Sequence, residues 1–575
     1  MFKCGQITGS SGRASRSTYP FEGPKLRSVP VTLRPYQREA IAAVLAARRE
    51  GVRRLLVNLP TGAGKTVIFS ELARLARRQV LVLAHREELL EQAKQKLESV
   101  LPPEVTVGIE RGAARASALA RVVVCSIRSL HEERLAQLLR GRDIGLIVYD
   151  ECHHAAAADN LRVLRQLGVF DQDFNGTLLG FTATTARGDG QGLDAVFERI
   201  VYSRSLPQLI ADGFLCPLRG FRIATHADLR SIATSSVDFS ESELAEAVDI
   251  EERNMLVARS IQELARDRRT IAFCVTVRHA RRLAHALNGL GVPTGIVHGE
   301  LASEDRARAL RDFREGRTRA LTNVGVLTEG FDDPGVSCVA MARPTRSEGL
   351  YTQCVGRGTR PFEGKTDCLI LDFVDLSTLS LCSLPSLFGL PATLNLVGGD
   401  AAEARRAWQD LLLEHPGFEA PPEALTLAEI KERAASFDPL TLETNPEVRA
   451  ISPNGWFSLA RHGLGLHFRR DARTIAEFLV LKRGARGKIW EVTLDGEVMA
   501  RFARIEDAVE AVDFEIENMG PAAASSALEG APWRRAPAPS ELVDQLQGNA
   551  RPQGLADALR MASWQRIVGG SAAAR

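Results

Sequence analysis

The sequence predicts two tandem α/β domains, each a doubly wound parallel sheet, followed by a smaller α+β region. Three observations predict it. Over residues 55–215, and again over 256–375, short runs rich in β-branched residues alternate with amphipathic helical stretches, as successive βαβ units do. The runs are apolar throughout instead of alternating with polar residues, as strands covered on both faces must be. After Phe373 the alternation stops, and all five tryptophans lie beyond residue 400.

In chain order, residues 1–30 are rich in Ser and basic residues, with Glu22 the only acid. A disordered tail is expected there, with an organellar transit peptide as the alternative. Residues 31–215 form the first domain, with strands at Leu55–Leu59, Val80–Ala84, Val122–Ser126, Leu146–Tyr149 and Leu178–Phe181. Helices such as Glu87–Val100 separate them. The more polar residues 216–255 read as a connecting segment. The second domain, 256–375, has strands at Thr270–Val275, Thr294–Val297, Ala320–Asn323, Cys338–Met341 and Cys368–Asp372.

Residues 376–450 read as a mostly helical connector and 451–520 as a small β-rich domain. In the latter, Trp456–Phe468 and Leu479–Leu494 each read as strand–turn–strand. A helix follows with Ile505, Ala508, Val509, Val512 and Ile516 on one face, stopped by Gly520-Pro521. Residues 521–575 read as a linker and a short helical hairpin.

Composition excludes several classes. At 575 residues the chain is too long for one core. The 45% hydrophobic and 25% charged content is that of a soluble globular protein. No apolar run reaches the roughly 18 residues of a membrane span. None of the nine cysteines has CxxC spacing, so no zinc site is expected. A net charge of +2 means that any basic nucleic-acid surface is local. A monomer in a bacterial cytoplasm is expected, or in an organelle matrix if residues 1–30 are a transit peptide.

The chemistry starts at Pro60-Thr61-Gly62-Ala63-Gly64-Lys65-Thr66. Binding a nucleotide phosphate needs backbone N–H groups around the anion, a cation near the β/γ oxygens and a hydroxyl for Mg²⁺. A strand entering a glycine-rich turn that opens a helix supplies all three. Leu55–Leu59 is the strand, Gly62 and Gly64 permit the turn, Lys65 is the cation and Thr66 the Mg²⁺ ligand. The general pattern has glycine where this chain has Leu59. The second piece is Asp150-Glu151-Cys152-His153, directly after the apolar strand Leu146–Tyr149. Asp150 there completes a Mg²⁺ shell through water, and Glu151 polarises the attacking water. Neighbouring side chains on an extended segment point oppositely, so Cys152-His153-His154 is not expected to bind metal.

Four further motifs stand in fixed order: Leu33-Arg34-Pro35-Tyr36-Gln37, Thr182-Ala183-Thr184, Thr328-Glu329-Gly330-Phe331-Asp332, and Gln353-Cys354-Val355-Gly356-Arg357-Gly358-Thr359-Arg360. With the first two pieces, residues 33–372 resemble a superfamily 2 helicase of the DEAD/DEAH type, with RecA-like domains. The resemblance implies ATP and Mg²⁺ as cofactors, adenine recognition by Gln37, and coupling of ATP to nucleic acid through Thr182 and Thr184. It implies nucleotide contacts at Gly330 and Asp332, and a sixth motif that brings Gln353 and the arginine fingers Arg357 and Arg360. It further implies backbone contacts to nucleic acid at His85, Arg86, Ser126, Arg128, His298, Gly299 and Thr322, with little sequence specificity.

The box reads DECH, and Met341–Ser347 resembles RadD-like DNA repair helicases and their mitochondrial branched-DNA relatives. Double-stranded or branched DNA, in repair or recombination, is therefore the expected partner, with the motor subunit of a restriction or phage-defence complex, or an RNA helicase, as the alternatives. RadD-like proteins often carry cysteine-rich zinc modules after the motor, and this chain has none. Its last third instead holds a basic cluster over residues 461–488, with Arg483, Arg486 and Lys488 at a hairpin tip suited to gripping duplex DNA. Trp456, Phe457 and Trp490 nearby read either as the core of the small domain or as stacking platforms for bases.

Overall fold

The computed structural model describes residues 32–84, 87–183, 193–234, 238–328, 330–376, 381–415, 423–435, 446–483, 489–546 and 552–569, with isolated residues between 416 and 446. Residues 1–31, and with them the N-terminal tail, lie outside the described residues, as do His85, Arg86, Thr184, Arg486 and Lys488. The chain divides into two compact units, one running to residue 203 apart from a few loop residues, the other from residue 204 onward.

The first unit is a seven-stranded sheet. Its strands are β1 (Arg54–Asn58), β2 (Gln79–Ala84), β3 (Val107–Glu110), β4 (Val122–Ser126), β5 (Ile144–Tyr149), β6 (Thr177–Thr182) and β7 (Arg199–Ser203), in the order β3-β4-β2-β5-β6-β1-β7. All pairings are parallel. Leu55, Leu56 and Val57 of β1 and Val122, Val123 and Val124 of β4 are fully or almost fully buried, which is why they read as unbroken apolar runs. The two edge strands, β3 and β7, are absent from the sequence reading. They are half-buried or exposed along most of their length, so selection for apolar residues there is weak.

The second unit opens with a six-stranded sheet: β8 (Leu218–Asp228), β9 (Thr270–Phe273), β10 (Thr294–Val297), β11 (Ala320–Asn323), β12 (Cys338–Met341) and β13 (Cys368–Leu376). The order is β10-β11-β9-β12-β13-β8, again parallel throughout. Both sheets thus have the doubly wound, RecA-like form that was expected. One correction concerns residues 216–255. They are not a plain connector, because β8 lies there and pairs with β13 along Leu218–Asp228. Residues 381–414 fasten to this edge: Gly398 N donates to Gly220 O at 2.7 Å and Leu384 N to Asp372 Oδ2 at 2.8 Å.

The last third builds an antiparallel meander of β14 (Phe457–Ser458), β15 (Gly463–Arg469), β16 (Ile475–Arg483), β17 (Ile489–Leu494) and β18 (Glu497–Phe502). The helix Ile505–Asn518 covers one face, with Ala508, Val509, Val512 and Ile516 buried against Leu466, Phe468, Phe478 and Val480. The other face is closed by Trp564 and Val568 on Leu479, Leu481 and Phe457. Trp456 and Phe457 are therefore core residues: Trp456 Nε1 donates to Ser452 Oγ at 2.9 Å, and Phe457 stacks on His467. Residues 521–537 are not a linker. Arg534 is buried and donates to the carbonyls of Leu528, His467 and Ala527 at 2.9, 2.8 and 2.8 Å, which ties this segment to the meander. Among the described residues, no helix is long and apolar enough to cross a membrane.

Candidate functional site

The carboxyl edge of the first sheet gathers the phosphate-site residues. The chain leaves β1 at Asn58, turns through Pro60–Gly64 and enters the helix Lys65–Leu75. Gly62 and Gly64 have φ of 87° and 74°, the left-handed region that glycine adopts without strain. Gly64 caps the helix with no side-chain acceptor, so no side chain competes for the first-turn N–H groups that would bind an anion. Thr61 is buried, and its Oγ1 has no hydrogen-bond partner among the described residues. Gln37, from the helix Pro35–Arg49, lies against the turn: a Cβ on Gly64 would meet its Nε2 at 2.8 Å.

β5 delivers the acidic pair. Asp150 N donates to Leu83 O at 3.0 Å, which holds the end of β5 against β2. Glu151 has φ of 51°, a left-handed conformation costing about 1–3 kcal/mol for a non-glycine residue and common at functional sites. There its carboxylate meets the phosphate loop: Lys65 Nζ donates to Glu151 Oε1 at 2.6 Å. Both side chains are about nine-tenths buried, at 10% and 8% exposure. Burial pushes the Glu151 carboxyl up, and the Lys65 ammonium and His153, with Nδ1 at 3.4 Å, more than offset this. Glu151 is thus held well below the usual carboxylate range.

Thr66, on the first turn of the helix, and Asp150 are both half-buried. A hydroxyl and a carboxylate are the hard oxygen donors that Mg²⁺ takes, so the donor set fits that ion. Cys152–His154 form a single 3-10 turn rather than the extended segment expected, with the two histidine rings 4.1 Å apart. Among the described residues, no group of three or more His, Cys, Asp or Glu side chains could hold a metal ion. Thr182 ends β6, between β5 and β1, and accepts from Leu59 N at 2.9 Å.

In the second unit the structure separates the two arginines. Arg357 is buried, its Nη1 donating to Phe331 O and its Nη2 to Thr328 O, both at 2.7 Å. Its guanidinium fastens the fifth motif, a structural task beside the arginine-finger role expected of it. Arg360 instead pairs with the Asp332 carboxylate, with both side chains partly exposed. Burial lowers its guanidinium to about 10, so it is charged at neutral pH. Gly330 has φ of 73°, and Gln353 is buried in the helix Glu348–Gly356.

The expected nucleic-acid residues divide in the same way. Arg128 and Gly299 are exposed. His298 is buried, with Nδ1 lacking a hydrogen-bond partner among the described residues. Two of the expected residues are buried. Thr322 is fully buried and its hydroxyl donates inward to Ala280 O at 3.0 Å. Ser126 is likewise buried at the end of β4. Arg483 is exposed but shares Glu491 with Arg501, at 3.2 Å to Oε1 and 2.8 Å to Oε2 respectively, which reduces its positive field. Sequence reasoning missed Lys365 and the buried pair Arg253–Asp375, at 2.7 Å. Neither lies in a motif with a local signature.

Two family models match the chain. Residues 30–187 match the model described as type III restriction enzyme, res subunit, and residues 252–361 match the helicase conserved C-terminal domain. A Schizosaccharomyces pombe protein named as a mitochondrial ATP-dependent helicase is 37% identical over 65% of this chain and 63% of its own length. A Saccharomyces cerevisiae protein named as an ATP-dependent helicase is 31% identical over 63% of this chain and 54% of its own. The chain therefore spans less than two thirds of either relative. A fragment assigned as the HsdR subunit of a Vibrio vulnificus type I restriction enzyme is similar at 26% identity, over 60% of this chain and 65% of that one, with a TM-score of 0.47.

Proposed function

We propose that this chain, which belongs to the superfamily 2 helicases, hydrolyses ATP to translocate on or unwind double-stranded or branched DNA in repair or recombination. The observation that carries the reading is the contact of Lys65 Nζ with Glu151 Oε1 at 2.6 Å. It brings the phosphate loop and the DECH box into one site at the carboxyl edge of a parallel sheet, where such sheets bind ligands. Lys65 neutralises the β/γ-phosphates, and Gln37 reads the adenine edge. Thr66 and Asp150 would hold Mg²⁺, which supplies charge neutralisation on the phosphate oxygens when bound. Once Lys65 turns to phosphate it relaxes its hold on Glu151, whose carboxylate then becomes a better acceptor for the attacking water. Arg360 acts as the arginine finger, a contribution on the order of 10³–10⁵ in rate.

DNA is favoured over RNA by the DECH box and the Met341–Ser347 stretch. ATPase measured with single-stranded, duplex and forked DNA and the matching RNAs tests this, and stimulation by RNA alone would overturn it. Lys65→Ala and Glu151→Gln should each lower hydrolysis by orders of magnitude. The match of residues 30–187 to a restriction-enzyme subunit supports a second reading, a motor subunit of a restriction or phage-defence complex. Co-purification with a nuclease or methyltransferase would establish that one. The mitochondrial name of the S. pombe relative supports an organelle matrix as the compartment.

A further inference from the structure

The loop that carries Arg360 is fixed by residues outside the six motifs. Lys365 Nζ donates to Gly358 O at 2.6 Å and to Arg360 O at 2.9 Å, and reaches Pro334 O at 3.3 Å. Cys216 contributes from the strand entry before β8, its N donating to Thr359 O at 2.8 Å and its Sγ to Gly358 O at 3.2 Å. Every carbonyl from Gly358 to Arg360 thus accepts a hydrogen bond from one of these two residues. Gly358 itself admits no side chain, since a Cβ would lie 2.1 Å from Cys368 Sγ.

The contacts form a frame around the Arg360–Asp332 pair. On one side Arg357 holds the carbonyls of Thr328 and Phe331. On the other, Lys365 holds that of Pro334 together with those of the finger loop. Between them the fifth and sixth motifs are tied at both ends. An ammonium suits the second place, because it is a compact point charge with three donors that can serve three converging carbonyls. A planar guanidinium would reach only part of that set.

We propose that Lys365 is a positioning residue for the arginine finger: by gathering the carbonyls of Gly358, Arg360 and Pro334, it fixes the backbone from which Arg360 reaches the transferring phosphoryl group. The inference rests on the ATPase reading above. Charge stabilisation in phosphoryl transfer depends on placement, and a displacement of about 1 Å can cost about 10²-fold in rate. Lys365 therefore governs turnover and leaves nucleotide affinity, set by Lys65 and the phosphate loop, nearly unchanged.

The test uses the full chain with Lys365→Met, Lys365→Gln and Lys365→Arg, alongside Lys65→Ala and Arg360→Ala. DNA-stimulated kcat should fall about 10- to 100-fold in Lys365→Met, less in the Gln variant, which keeps two donor protons, and least in Arg, with KM for ATP within about threefold. In single-turnover assays the double variant Lys365→Met/Arg360→Ala should be no slower than Arg360→Ala, since Lys365 acts through that arginine. A kcat for Lys365→Met within about twofold of the parent, or losses that multiply in the double variant, overturns the proposal. If Lys365→Met fails to fold, the Gln variant decides by the same criteria. Undiminished hydrolysis by Lys65→Ala would instead sink the ATPase reading itself, so the two failures are distinguishable.

Discussion

Replacing Lys65 with alanine removes the ammonium 2.6 Å from Glu151 Oε1 while the carboxyl keeps its burial, at 8% side-chain exposure. In the parent protein Glu151 is held below the usual carboxylate range. It is then ionised both folded and unfolded between pH 5 and 8, and adds no pH slope to stability there. In the variant, burial acts against the charge with only His153 opposing it, and buried carboxyls reach about 8–9. A folded carboxyl raised by burial holds a proton that the unfolded chain, at about 4.3, has released. Stability then falls as pH rises, by about 1.4 kcal/mol for each unit by which burial raises the folded carboxyl, so a two-unit rise costs roughly 3 kcal/mol. That is comparable with the 3–5 kcal/mol typical of breaking a buried ion pair. At about 2–4 °C per kcal/mol for a domain of about 150–250 residues, the melting gap between parent and variant should widen by roughly 6–12 °C between pH 5 and pH 8. Adding Glu151→Gln should remove the widening. Thermal melts of the three proteins across this range provide the measurement. A gap that stays constant with pH, or a double variant that retains the slope, would refute the assignment of Lys65 as the group holding Glu151 ionised.

The two arginines of the sixth motif should part company. Arg360→Ala should lower ATPase by about 10³-fold or more with a small change in melting temperature, because its partner Asp332 is largely exposed. Arg357→Ala should lower the melting temperature itself, since it leaves the Thr328 and Phe331 carbonyls short of a donor at about 1–3 kcal/mol each; an unchanged melt with lost activity would assign Arg357 to the finger role. The Asp372 carboxyl is raised to about 6 by burial, against hydrogen bonds from Tyr351 and Leu384. Its contribution is full below about pH 4 and lost as pH rises through 6, so Asp372→Asn should gain on the parent by roughly 2–3 kcal/mol between pH 4 and 8, read by denaturant melts. Gly358→Ala should destabilise by about 1–3 kcal/mol through overpacking against Cys368, and urea unfolding would measure it.

The central strands of both sheets were legible because they are buried on both faces, so burial and sequence carry the same information. β3, β7 and β8 were not. β7 is exposed at Arg199 and Ile200, and β8 alternates inward Leu218 and Gly220 with outward Arg219, a pattern that a polar connector shares. The same division runs through the site. A phosphate loop and a DECH box are chemistry written in contiguous residues, so Lys65, Thr66, Asp150 and Glu151 could be named from spacing. What an arginine or lysine does depends on which carbonyls the fold brings to it, and no spacing encodes that.

Arg357 and Arg360 sit three positions apart in one motif and look equivalent. Only tertiary contacts show one guanidinium turned inward onto Thr328 and Phe331 and the other paired at the surface with Asp332. Lys365 lies in a polar turn, Phe362-Glu363-Gly364-Lys365, that reads as an ordinary loop. Residues 521–537 looked like a linker because alanine and proline dominate them, yet Arg534 reaches out of the segment to the carbonyls of His467 and Gly455 and so makes it part of the β domain. In each case a cation satisfying backbone carbonyls sets the local architecture. A buried cation is costly unless it is hydrogen-bonded, and these carbonyls meet that need for Arg357 and Arg534. Arg360, whose guanidinium pairs with a partly exposed carboxylate that it can exchange for phosphate, is the sixth-motif arginine suited to catalysis.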